Sequence, residues 1–178
     1  PVPDDDRLLR HIDPAPFVPT NPETLDQRCG ELFDYTSHAL SQRIREKDSQ
    51  GIVLGLSGGL DSTLALLIAL ESTKQLDKPA DFIHTITMPA KASSKRTQDN
   101  ATLLAKATDT THKVKPIQEL SDIFLELIEH NQEKQDIAYE NTQARTRKEI
   151  LMNYANTIGA LELGTGDMSE IAIGWCTY

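Results

Sequence analysis

Residues 51–70, GIVLGLSGGLDSTLALLIAL, constrain the fold more than any other stretch of the chain. Ile52, Val53, Leu54 and Leu56 form a nearly unbroken β-prone apolar run, the pattern of a strand buried on both faces of a parallel sheet. Ser57-Gly58-Gly59-Leu60-Asp61-Ser62 then makes a tight polar turn, and Thr63 to Leu70 reads as an apolar helix. Glycines in such a turn let an anion approach the main chain, and the amides at the helix start add positive potential. A strand, a phosphate-sized loop and a helix are therefore expected in that order.

The loop is neither of the two commonest phosphate loops. A dinucleotide turn needs a third glycine, and a Walker loop needs GxxxxGK followed by Ser or Thr. The pattern present is SGGxDS, with Ser57 and Ser62 as hydroxyl donors to phosphate. Asp61 would repel phosphate unless a cation lay between them, which implies a hard, oxygen-seeking ion such as Mg²⁺. The plainer alternative is a glycine turn leading into a core helix. The six residues resemble the signature of the ATP pyrophosphatases, enzymes that cleave ATP between its α and β phosphates.

A length of 178 residues suits one domain with a full core. The formal charge of −9 argues against a sequence-independent grip on nucleic acid, which rests on a basic surface. No apolar run approaches the roughly 20 residues of a membrane span and no signal peptide opens the chain, so a cytoplasmic protein is the expectation. Cys29 and Cys176 lie far apart without CxxC spacing and are expected to be packed thiols. His11, His38, His84, His112 and His130 are scattered without metal-ligand spacing. The opening proline and the abrupt end at Tyr178 suggest a segment cut from something larger.

Residues 1–20, with five prolines and three successive aspartates, read as a linker or extended arm preceding a domain over 21–178. Asn21-Pro22 is a helix start, and Leu25, Cys29, Leu32, Phe33, Leu40 and Ile44 continue at near-helical spacing to about Lys47. A second strand is predicted from Phe82 to Met88. Beyond it, Lys91, Lys95 and Arg96 stand where open α/β sheets bind ligands, although a solvated loop explains them equally well. Thr97 to Ala107 reads as a helix with Ala101, Leu104 and Ala105 inward, and HKVKP (112–116) as a weak strand. Leu120, Ile123, Phe124, Leu127 and Ile128 mark an amphipathic helix. After a polar break over 131–136, a long helix is predicted from Ala138 to Ile158, with Ile150, Leu151, Tyr154, Ala155 and Ile158 on one side and Gly159 at its stop. ALELG supplies a last strand and TGDMSE another glycine turn. This alternation gives an α/β fold with a doubly wound parallel sheet whose strand order is not readable.

Within the long helix, ENTQARTR puts Asn141 and Arg145 one turn apart on one face. Arg145 offers a planar fork for phosphate or carboxylate, and Asn141 both donates and accepts; surface salt bridges are the competing use. LGTGDMSE places Thr165 and Glu170 beside a glycine turn at a strand's carboxyl edge, where Glu170 and Asp61 can share one metal. Together, SGGLDST, ENTQARTR and LGTGDMSEIAIGWCTY resemble the synthetase domain of glutamine-dependent NAD synthetases, over about Pro16 to Tyr178. Other ATP pyrophosphatases share only the first motif.

The resemblance implies a Rossmann-like three-layer domain of the adenine nucleotide alpha hydrolase type. It assigns Gly55, Leu56, Ser57, Gly58, Gly59, Leu60, Asp61 and Ser62 to ATP, with Asp61 on Mg²⁺ and Asp61, Ser57 and Ser62 as the catalytic set. Thr165 and Arg96 match ATP-binding positions, Asn141 and Arg145 match deamido-NAD positions, and Glu170 matches a position on magnesium or the dinucleotide. The implied reaction converts deamido-NAD to NAD with ATP and ammonia, releasing AMP and pyrophosphate. Its relatives carry an upstream glutaminase domain that this chain lacks, and they work as homo-oligomers. One departure stands out: after Met88-Pro89 the family continues with a glycine-rich turn, whereas here Ala90-Lys91-Ala92 follows. Two rival readings are an RNA-thiolating ATP pyrophosphatase, for which cysteines and a basic face are missing, and a Mg-ATP-binding fragment without turnover.

Overall fold

Ile52, Val53 and Leu54 are fully buried because β1 (Ile52–Gly55) lies inside a parallel sheet. The computed structural model describes residues 21–91 and 93–174. The sheet order is β3 (Thr111–Val114), β2 (Ile83–Thr87), β1, β4 (Leu161–Leu163), with all neighbours parallel. Parallel pairing demands crossovers, and each is helical. From β1 the chain passes through α2 (Leu60–Gln75) to β2 and through α3 (Lys95–Ala107) to β3. It then returns through α4 (Gln118–Leu127) and α5 (Ile137–Ile158) to β4 on the other side of β1. Right-handed crossovers running in opposite directions put these helices on opposite faces of the sheet.

Alternation along β1 feeds two cores. Ile52, Leu54 and Leu56 pack with Leu66 and Ala69 of α2 and with Ala101 and Ala105 of α3. Val53 points the other way, with Ile86, Ile117, and Leu151 and Ala155 of α5. The α5 face is also braced by polar groups: Lys113 Nζ donates to Tyr154 Oη at 2.6 Å, and His84 Nδ1 lies 3.1 Å from the same oxygen. Burial, with Lys113 nearby, pushes the His84 imidazole below its usual pKa.

The chain divides into two compact units, residues 1–36 and 37–178. α1 (Pro22–Glu46) begins in the first and ends in the second. The Asn21 side chain accepts from Glu23 N at 2.9 Å, the start signal read in the sequence. Its apolar spacing overstated burial: Leu32 is 62% exposed and Cys29 is exposed rather than packed, and only Leu40 and Ile44 of the expected set are buried. Residues 1–20 and Cys176 lie outside the described residues.

Two boundaries and one helix face differ from expectation. α2 starts at Leu60 rather than Thr63, so Asp61 and Ser62 belong to its first turn. Gly59 is extended at φ −89°, ψ 172°, which fits an N-cap position and lets the helix start early. Phe82 closes a short 3₁₀ turn (Ala80–Phe82) before β2. In α4 the helix is present but its inward face is different. Ile117, just before it, and Ser121 and Leu125 are buried at four-residue intervals, whereas Leu127 is 74% exposed and Ile123, Phe124 and Ile128 are also outward. Among the described residues no helix is long and apolar enough to cross a membrane.

Candidate functional site

The strand order reverses at β1, since β2 and β3 lie to one side and β4 to the other. At such a reversal the loops leaving neighbouring strands diverge, and a crevice opens beyond their carboxyl ends. A cleft of about 620 Å³ lies there. Gly55, Leu56, Ser57 and Gly59 line it from the β1 exit, and Thr87, Met88 and Pro89 from the β2 exit. Leu163, Gly164, Thr165 and Gly166 come from the β4 exit, and Ala144, Arg147, Lys148 and Leu151 from α5.

The base of the loop is pinned to the sheet. Leu56 N donates to Ile86 O at 2.9 Å, and Thr87 Oγ1 donates to Leu56 O at 2.8 Å. Gly58 has φ +81°, a conformation that glycine adopts without penalty. A Cβ there would stand 2.2 Å from the Thr97 carbonyl oxygen, so the loop packs against the first turn of α3. Ser62 is 3% exposed; its hydroxyl donates to Gly59 O at 3.1 Å and accepts from Ser57 N at 3.3 Å. That hydroxyl braces the turn from inside. Ser57 Oγ accepts from Gly59 N at 3.2 Å, and Ser57 lines the cleft.

Of the ATP residues expected from the sequence, Gly55, Leu56, Ser57, Gly59 and Thr165 line the cleft. Gly58 and Ser62 shape the loop from behind it. Asp61 is exposed on the first turn of α2, and its carboxylate makes no hydrogen bond or ion pair with the described residues. Leu60, next to it, is 81% exposed, and Arg96 is exposed on the first turn of α3. Asn141 and Arg145 do not line the cleft, but spacing puts them on one helix face with Lys148, which does. Glu170 sits in α6 (Met168–Ala172), where a capping box engages it: Asp167 N donates to Glu170 Oε2 at 3.1 Å, and Glu170 N to Asp167 Oδ1 at 2.7 Å. Among the described residues, no group of three or more His, Cys, Asp and Glu is placed to hold a metal.

The loop after Pro89 does without glycine. Ser93 Oγ accepts from Ala90 N, Ser93 N donates to Ala90 O, and Gln118 Oε1 accepts from Lys91 N at 2.8 Å.

Two cleft residues were not singled out in the sequence. Lys148 Nζ forms a 2.6 Å ion pair with Glu162 Oε2 on β4. Arg147 is half-buried, and its Nε donates to Met88 O at 3.2 Å. Burial lowers its pKa, and no carboxylate of the described residues pairs with it. A signal for Arg147 was present: it occupies the same helix stripe as Leu151 and Tyr154, so a cation stands among residues expected to face inward.

A parallel sheet with a glycine loop and helix at its reversal point is an arrangement that suits phosphate binding. The family model for NAD synthase matches residues 32–178. The chain is 38% identical over 175 residues to the glutamine-dependent NAD(+) synthetase of Mycobacterium leprae, spanning 96% of this chain and 26% of that protein. It is 32% identical over 161 residues to the NH(3)-dependent NAD(+) synthetase of Aeropyrum pernix, spanning 86% of this chain and 54% of that protein. A solved glutamine-dependent NAD+ synthetase from Acinetobacter baumannii, in complex with ADP, superposes with a TM-score of 0.76 at 30% identity, covering 84% of this chain and 28% of that one. The chain belongs to the NAD synthase family, with its Rossmann-like α/β fold. It spans about a quarter of the length of its glutamine-dependent relatives.

Proposed function

We propose that the cleft binds ATP and that the chain is the synthetase part of an enzyme that amidates deamido-NAD to NAD. The observation that carries this reading is the meeting of the SGGLDS loop, the LGTG turn and α5 at one cleft in a member of the NAD synthase family. The Acinetobacter baumannii relative was solved in complex with ADP, which supports an adenine nucleotide as the ligand.

In the proposed first step a carboxylate oxygen of deamido-NAD attacks the α-phosphorus of ATP. The bond from that phosphorus to the bridging oxygen breaks and pyrophosphate leaves. Ammonia then attacks the carbonyl carbon of the mixed anhydride, the bond from that carbon to the phosphorus-bound oxygen breaks, AMP departs with that former carboxylate oxygen, and the nitrogen loses a proton. The first nucleophile is already ionised, so the chain's task is to align two anions, balance developing charge and exclude water. Ser57, Thr165 and the loop amides are the proposed phosphate contacts, with Ser62 and Gly58 holding the loop; Arg96, exposed on the first turn of α3, is a further proposed ATP contact. Asn141 and Arg145, beside Lys148, are assigned to the dinucleotide.

Asp61, a carboxylate on the first turn of α2 without a partner among the described residues, has the hard oxygen donor that Mg²⁺ prefers. Glu170 keeps one carboxylate oxygen outside its capping box and is the proposed second ligand. When bound, Mg²⁺ supplies charge neutralisation on the departing pyrophosphate. Ammonia is proposed to come from a glutaminase domain of the whole protein, which we infer to be a cytoplasmic homo-oligomer without a nucleic-acid partner. The quarter-length coverage favours a second reading, a nucleotide-binding part that needs its remaining domains for turnover.

Incubation of the chain with ATP, Mg²⁺, deamido-NAD and excess ammonium, with AMP and NAD followed by chromatography, tests the proposal. Matched formation of both products, dependent on deamido-NAD, is the expected result. ATP binding without products would favour the second reading, and no ATP binding would sink both.

A further inference from the structure

Adjacent cations on α5 face the same cleft in different states. Lys148 is neutralised at 2.6 Å by Glu162. Among the described residues Arg147 has no such partner: one of its five N–H groups is used on Met88 O, and burial disfavours its charge. A half-buried cation left unpaired beside a polar loop is costly unless a ligand completes it. The Met88 hydrogen bond fixes the guanidinium plane where α5 meets the β2 exit, so the remaining donors are held in place before any ligand arrives.

We propose that Arg147 is a phosphate-binding residue of this cleft, its terminal amino groups taking two oxygens of a nucleoside polyphosphate while its Nε holds Met88. This assignment rests on the nucleotide reading above. It deepens that reading by giving the cleft a cation that the loop itself lacks. The planar fork suits a pair of phosphate oxygens better than a lysine's point charge, and the local positive charge is what a chain of net charge −9 needs to hold a polyanion.

Calorimetry on this chain with ADP, adenosine, inorganic pyrophosphate and nicotinate tests it. Arg147→Met is expected to weaken ADP and pyrophosphate about ten- to hundredfold, the range for a charged hydrogen bond, and to leave adenosine unchanged. Arg147→Lys should recover part of the loss. Lys134→Met removes the same charge from an exposed loop and should alter ADP binding less than about twofold, as screened surface charges do. Should Arg147→Met fail to fold, the unaltered chain still decides. ADP must protect Arg147 from an arginine-selective dicarbonyl, read by mass spectrometry. Wild-type ADP affinity in Arg147→Met, absence of protection, or a loss confined to nicotinate would overturn the assignment while the nucleotide reading stands. An unaltered chain that binds no ADP would overturn both.

Discussion

At the scale of single residues, the glycine loop shows how little freedom a phosphate cradle has. Gly58 is held at φ +81°, where any other L-residue costs about 1–2 kcal/mol. The larger obstacle is contact: a Cβ would meet Thr97 O at 2.2 Å and Thr97 C at 3.1 Å, both main-chain atoms that no rotamer change can move. Gly58→Ala must therefore separate the loop from α3. The expected outcome is loss of measurable ADP binding, with a lowered melting temperature. A Gly58→Ala protein with normal ADP affinity would show that the loop does not form the phosphate contact. Gly59 differs. A Cβ there would meet only the Ser57 hydroxyl, at 3.3 Å, a side chain that can turn. The serines divide in the same way: Ser57 lines the cleft, and buried Ser62 holds the turn closed from inside. Sequence could place both in the motif, but the direction of a hydroxyl is decided by where the helix starts.

At the scale of elements, α5 lends Ala144, Arg147, Lys148 and Leu151 to the cleft, and its start is a single carboxylate. Asp136 Oδ1 accepts from Ala138 N at 3.0 Å and Tyr139 N at 3.2 Å, and lies 2.9 Å from His130 Nε2. The hydrogen bond to His130, then those to the helix amides, hold its carboxyl below the usual range. A depressed folded-state pKa contributes stability that is fully present above the unfolded value and disappears as pH falls through the folded one. Asp136→Ala should thus lower the melting temperature at neutral pH, with the gap to wild type closing in acid below the ordinary carboxylate range. Asp136→Asn keeps a good cap without the charge and should be the more stable variant with the flatter acid limb, as thermal melts across pH will show. The long helices and the central strands were legible because caps and periodicity are local. Periodicity reports which residues share a face, not which face is covered: the apolar set that marks α4 includes Leu127 and Ile128, yet the covered residues are Ser121 and Leu125. Strand order depends on pairings between distant segments, such as Ile52 with Leu161, and left no local trace. Asn141 and Arg145 share the more exposed stripe of α5, whereas Arg147, the cation beside the cleft, lies on the stripe of Leu151 and Tyr154 that faces inward.

At the scale of the whole molecule, the sheet separates two cores that should differ in what they do for the cleft. Leu66, fully buried under α2, packs only in the first core. Leu151 packs in the second and also lines the cleft, close enough to Gly55 that a Cβ there would meet its Cδ1 at 3.0 Å. Truncating either leucine to alanine removes comparable apolar volume and is expected to cost about 2–5 kcal/mol, a large share of a domain's usual stability. Their effects on ligand binding should diverge. Leu66 does not line the cleft, and Leu56, which packs in the same core and reaches the β1 exit, is tied to β2 by the Thr87 Oγ1 to Leu56 O hydrogen bond. Leu151→Ala instead widens the cleft itself and loosens the seat of Gly55. Ligand raises the melting temperature in proportion to its affinity for the folded state, so the increment produced by saturating ADP reports the site separately from the core. That increment should match wild type in Leu66→Ala and shrink in Leu151→Ala, although both proteins melt early. Equal shrinkage in the two would mean that the sheet transmits packing defects to the phosphate loop, and that the two cores act as one.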